Sequence, residues 1–186
     1  MEKVVEVIPV ASGNPPVVPI TPKEAIIKML DELEAKEREE MGYVREIVEF
    51  VKAVGMAAKD LHYRAKGDSF YGEHLLADLV WKIESLSDDL IEVYYLGEKG
   101  AEAPLMSDIC RAAADKIMVS MAISDSTKPM PTEFWASRLL EVCEKCAEHV
   151  EKVKAILEPK AGTQAVLDEV SKEVLVAAGL LKRNLK

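Results

Sequence analysis

From Val44 onward the apolar residues of this chain return every three or four positions, and nowhere in the body do they alternate as a strand requires. Val44, Ile47, Val48, Val51, Val54, Ala58 and Leu61 mark one helical face. Leu75, Leu76, Leu79, Val80, Ile83, Leu86, Leu90, Ile91 and Tyr94 mark a second. Ile109, Ala113, Ile117 and Met121 mark a shorter third. Stripes of this kind are buried only against one another, so the predicted class is an all-α bundle with short connections. Lys66-Gly67 is the expected stop of the first of these helices, and the next is expected from Ser69 or Phe70 to Leu96, ended by Gly97. Residues 98–103 read as a loop and Pro104 to about Ser124 as a short helix. Ser126-Thr127-Lys128-Pro129-Met130-Pro131 breaks the chain. Thr132 is then the expected cap of a helix to about Leu157, and Thr163 that of a last helix to about Leu185.

The amino-terminal part differs. Val4 to Ile20 holds four prolines around Ser12-Gly13-Asn14, which excludes a helix. Residues 1–20 therefore read as an extended arm that packs on the body or reaches a neighbouring subunit. Thr21-Pro22-Lys23-Glu24 has the form of a capping box, with proline at a position that tolerates it. It opens an extra, charged helix over 21–40. The helical body then spans 41–186.

Composition narrows the function. At 186 residues the chain can bury one sizeable core. Its net charge of −9 argues against nucleic acid as a partner and for attraction of cations. No signal peptide and no membrane span are expected, and three cysteines do not make a disulfide framework, so the expected compartment is the reducing cytoplasm.

Two of only three histidines, His62 and His74, flank the expected turn between the first two body helices. Asp78 follows His74 by four residues, hence on the same helical face. Imidazole with carboxylate suits a divalent first-row metal. Asp88, Asp89 and Glu92 lie further along the same helix. Asp78 and Glu92 are about 21 Å apart on a helix rising 1.5 Å per residue, too far to share one ion. An antiparallel two-fold pairing of this helix would bring Asp88 or Asp89 and Glu92 of one chain to His62, His74 and Asp78 of another, giving two equivalent sites.

These residues resemble the Dps mini-ferritins, a family of ferritin-like four-helix bundles. There a Leu-His-Trp-x-x-x-Gly run ends the first helix, a Phe follows the His by eight residues, a second His by twelve, and an acid stands four further on. Here Leu61-His62, Gly67, Phe70, His74 and Asp78 keep that spacing. The family continues with an Asp, an acid four residues later and a Leu-Gly ending. Asp88, Glu92 and Leu96-Gly97 match it. The family's short helix between its second and third long helices corresponds to 104–124, and its Leu-rich end to Gly179–Leu185. The resemblance covers about 44–185. The family's Trp is Tyr63 here. The gap from Asp78 to Asp88 is one residue shorter than usual; Asp89 keeps the gap but puts Val93 where the acid belongs. The Lys-rich DNA-binding tail of some members has no counterpart in residues 1–20.

The resemblance implies a ferritin-like four-helix bundle, with a short helix between the second and third long helices and an added amino-terminal helix. It implies Fe²⁺ oxidation at sites between two subunits, hydrogen peroxide as preferred oxidant, and ferric iron stored in a hollow homo-oligomeric shell, usually of twelve chains. Another divalent metal remains compatible with the same ligands. Other readings stay open. One is a ferritin-like bundle with a structural or interaction role and no catalysis. Another is an all-α Mg²⁺-dependent nucleotide pyrophosphatase, motivated by Asp88, Asp89 and Glu92 alone. Cys143-x-x-Cys146-x-x-His149 invites a zinc site but lacks an evident fourth ligand, so its cysteines read as small core residues.

Overall fold

A computed structural model of the protein describes residues 21–65, 70–118 and 130–185. Among them there is no strand. The helices are α1 (Pro22–Arg64), α2 (Phe70–Trp81), α3 (Ser85–Leu90), α4 (Met106–Met118), α5 (Thr132–Ile156) and α6 (Ala161–Asn184). A 3₁₀ turn, Lys82–Glu84, joins α2 to α3, and a π-helical stretch, Ile91–Lys99, follows α3. The stretches read as two helices, 21–40 and 44 onward, are one element, α1. The 1–20 arm and the Lys66-Gly67 stop lie outside the described residues. None of the described helices is long and apolar enough to cross a membrane.

The chain divides into two compact units, Met1–Lys36 and Glu37–Lys186. In the first, the capping box forms as expected. The Thr21 backbone N–H donates to the Glu24 carboxylate at 2.8 Å, and the Glu24 N–H donates to Thr21 Oγ1 at 3.3 Å. Every residue from Thr21 to Lys36 is exposed.

In the second unit one core runs from Val44 to Leu181, taking its side chains from all six helices and the two irregular turns. Polar pairs fix the directions of the helices. Glu144 meets Lys182, Glu151 meets Ser171 and Lys154 meets Asp168, so α5 and α6 are antiparallel. His62 meets Asp78, Lys52 meets Glu84 and Met41 meets Tyr95, so α1 opposes α2 and its continuation. Glu46 meets His149 and Arg64 covers Trp135, so α1 opposes α5. Both α2 and α5 thus run against α1, and hence parallel to each other. The connection between them must cross the length of the bundle, and it carries α4. Lys116 of α4 ties to Glu46 and Glu49 of α1, both at 3.4 Å, with its ammonium over the Phe50 ring.

Three helix ends differ from expectation. The second long helix continues past Gly97 to Lys99, and the stop is Gly100, whose φ of 60° suits glycine. Thr132 is the first residue of α5 and gives no side-chain cap. α6 begins at Ala161, two residues before Thr163. Its cap comes from another helix: the Glu98 carboxylate accepts the Lys160 N–H at 3.2 Å and the Thr163 hydroxyl at 2.6 Å. A carboxylate at a helix amino terminus satisfies orphan N–H groups and favours the helix dipole. Glu98→Ala is expected to cost about 1 kcal/mol in a urea titration, the usual worth of a lost cap. An unchanged midpoint would mean the cap is idle.

Candidate metal centre

His62 lies in the last turn of α1, and His74 and Asp78 stand one turn apart on α2. The antiparallel contact of these helices brings the three together. One donor atom from each lies within 4.8 Å of the others, and all three residues are half-buried. They are the only such group of three among the described residues. The imidazoles of His62 and His74 face each other with centroids 3.7 Å apart. His62 Nδ1 and Asp78 Oδ1 are 2.7 Å apart, yet not aligned as a hydrogen bond. The donor set, two imidazoles and a carboxylate, fits a divalent first-row cation.

Asp78 also lines a groove of about 700 Å³ with Leu75, Leu79, Lys82, Ser85 and Asp88. Tyr63, Tyr71, Leu75 and Leu79 are at least half exposed around this part of the surface.

The acids farther along the helix divide. Asp88 shares the groove with Asp78, and its carboxylate lies 3.8 Å from the Lys52 ammonium. Asp89 is exposed. Glu92 borders a different groove, with Val93, Glu98 and Thr163. Within one chain, then, His62, His74 and Asp78 converge, while Asp88, Asp89 and Glu92 stay outside the cluster.

A charged network underlies the site, and neither its members nor their pairing stood out in the sequence. The Glu84 carboxylate takes Lys59 at 2.7 Å, Lys52 at 3.1 Å and the Trp81 indole N–H at 2.9 Å. Lys59 also lies over the Trp81 ring, which stands edge-on to His62. Burial pushes the Glu84 carboxyl up, but the hydrogen bonds and charges of the two lysines outweigh it, so the group sits below the ordinary Glu range. The signal available in the sequence was Gly55, an isolated glycine inside a helix. A Cβ there would lie 2.7 Å from Glu84 Cβ, so only glycine lets the helices approach this closely. Glu73, beside His74, was missed as well. It is 5% exposed, and its Oε2 has no hydrogen-bond partner among the described residues.

Cys143 and Cys146 are fully buried core residues and, with His149, do not form a metal group. Burial pushes both thiols up, that of Cys146 to about 12. A thiol reagent is therefore expected to modify half-buried Cys110 in the native protein and to spare the other two until unfolding. Mass analysis of the labelled chain checks this, and early modification of Cys143 or Cys146 would contradict it.

No family model, no curated protein and no solved structure matches this chain.

Proposed function

We propose that the protein is a ferritin-like, divalent-metal-binding bundle whose substrate is Fe²⁺, taken at His62, His74 and Asp78 and oxidised between two subunits. The observation that carries this reading is the convergence of those three side chains, with His62 Nδ1 and Asp78 Oδ1 close but misaligned for each other. Three protein ligands leave coordination positions for a second chain and for oxidant. The apolar rim at Leu75 and Leu79 is where that chain would seat. The parallel placement of α2 and α5, joined by one long crossover, is the connectivity of ferritin-like bundles.

The 3₁₀ turn bears on the shortened gap before Asp88. Three residues of 3₁₀ helix rise about 6 Å against about 4.5 Å in an α-helix, which regains the rise of one missing residue. They also turn about 60° further, more than half of the roughly 100° one residue supplies. Asp88 thus comes to the face of Asp78, which favours Asp88 over Asp89 as the acid offered to the partner chain. Its carboxylate lies 3.8 Å from the Lys52 ammonium. Glu92 remains its companion by spacing, four residues on.

In the reaction two Fe²⁺ each give up one electron, and hydrogen peroxide takes both, with two protons, to leave two waters and two Fe³⁺. The imidazoles bind Fe²⁺ without neutralising it, and the carboxylates favour the ferric product by charge. The test is Fe²⁺ oxidation followed optically under peroxide and under air, with the purified chain against buffer. A rate no higher than buffer would sink the proposal.

One observation favours a second reading. A His62–Asp78 contact of 2.7 Å is also how a structural ion pair would brace the end of α1 against α2, in a bundle with no catalytic role. Calorimetric titration with Co²⁺ separates the two, because a mere brace takes up no ion.

A further inference from the structure

The His62 imidazole meets His74, Asp78, Tyr63 and Trp81. His74 and Asp78 are donors to the same ion and are themselves set in place by it, and Tyr63 is largely exposed. Trp81 is different, because it is anchored independently of the three donors. Its indole stands edge-on to the imidazole, with centroids 6.3 Å and planes 70° apart. The indole N–H donates to Glu84 Oε2 at 2.9 Å. The Lys59 ammonium meets the same oxygen at 2.7 Å and lies 4.7 Å over the indole ring. Lys52 takes the other oxygen at 3.1 Å. Contacts of an ionised carboxylate with N–H donors, and of an ammonium with a Trp face, are among the stronger polar interactions available. Trp81 is half-buried and borders the groove beside Asp78, so these ties, and not packing alone, fix its position.

The network also stands in register with the donors. Lys59 precedes His62 by three residues on α1, and Trp81 follows Asp78 by three on α2, about one helical turn in each case. In antiparallel helices those two steps run the same way along the bundle. The Glu84 carboxylate therefore clamps α1 to α2 about one turn from the donors, and the indole carries that constraint to the imidazole. Metal centres need such support, because their ligands must be held to about 0.5 Å by the side chains around them.

We infer that Trp81 is a positioning residue of the metal centre: anchored by Glu84 and Lys59, it sets the plane in which the His62 imidazole meets a divalent cation. The inference rests on the metal-binding reading of His62, His74 and Asp78. Trp81 acts through His62 and gives the ion no ligand of its own.

Co²⁺ titration of the full-length chain tests this, with affinity from calorimetry and ligand geometry from the visible absorption of the bound ion. Trp81→Leu removes the ring and is expected to weaken Co²⁺ binding about tenfold and to shift the visible band. Trp81→Phe keeps an aromatic ring without the N–H and is expected to fall between the two. It also keeps the test open where the leucine variant is too unstable to titrate. Glu84→Gln retains an oxygen that accepts the indole N–H, and it is expected to bind Co²⁺ more tightly than Glu84→Ala. The chain has two tryptophans, so in a Trp135→Phe background the emission is that of Trp81, and bound Co²⁺ is expected to quench it. A purely structural Trp81 would lower the melting temperature and leave the affinity and the visible band unchanged in both variants. That result, or unquenched emission at saturating Co²⁺, would overturn the inference. Failure of the metal-binding reading shows itself separately, as His62→Ala binding Co²⁺ no more weakly than the unaltered chain.

Discussion

Fe²⁺ oxidation is expected to fall at least about 100-fold when His62 is replaced by alanine, while His149→Ala leaves it near the original rate. Loss of even an outlying partner of a metal ligand typically costs about 10–100-fold, and His62 is itself one of three converging donors. Asp78→Asn should fall nearly as far, because it keeps the shape of the side chain and removes its charge. His62 is half-buried at the end of α1 and lies outside the main apolar core, so the melting temperature should change little. His149 stacks on Phe50 and faces Glu46, away from the cluster, and serves as the control. Equal losses in the His62 and His149 variants would point to general damage and not to a site. Stopped-flow absorbance of the ferric product is the readout.

The second large effect concerns stability. Gly55→Leu is expected to cost about 3 kcal/mol or more, and even Gly55→Ala to be destabilising, against the gain of about 1 kcal/mol that alanine brings to an ordinary helix interior. The added Cβ meets Glu84 at its Cβ, Cγ and Oε2, all within 2.8 Å. Relief requires either parting α1 from the 3₁₀ turn or dislodging a carboxylate that holds Lys52, Lys59 and the Trp81 indole. Both paths disturb the residues packed beneath the candidate metal centre. Chemical denaturation measures the change, and a more stable Gly55→Ala would show that the helices are not in close contact there.

The same network gives a pH dependence. The folded Glu84 carboxyl lies below its ordinary value, so folding is favoured wherever Glu84 is ionised in the unfolded chain. That contribution is present above the ordinary Glu range and drains away as pH falls through the lowered folded value. In Glu84→Gln the acid limb of the stability curve should be shallower by this one group.

Much of the bundle could be read locally. The helical spacing at Val44–Leu61 and Val80–Tyr94 marked the buried faces, while Leu75 and Leu79, read into the same stripe, are about half exposed, and the Thr21–Glu24 box marked a helix start that forms with both reciprocal hydrogen bonds. Ends set by distant residues were not legible. The cap of α6 comes from Glu98, some sixty positions earlier in the chain, so Thr163 looked like the start. Gly97 looked like a stop, yet the π-helical stretch carries the helix on to Gly100. At the candidate site, the grouping of His62, His74 and Asp78 followed from helical spacing across one turn. The Lys52–Glu84–Lys59 network did not, because its members sit on two helices and nothing in their spacing announces the contact. The role proposed for Asp88, Asp89 and Glu92 would depend on a second subunit and is therefore a matter of assembly, which neither local pattern nor a single chain determines.

The account turns on a metal site completed between subunits. The most direct measurement is the mass of the native particle by light scattering on a sizing column, with iron read on the same peak. The account predicts an even number of chains, iron bound in proportion to them, and iron lost from the particle when His62 is replaced by alanine. A single chain eluting without metal, after exposure to Fe²⁺ in the absence of air, would contradict it.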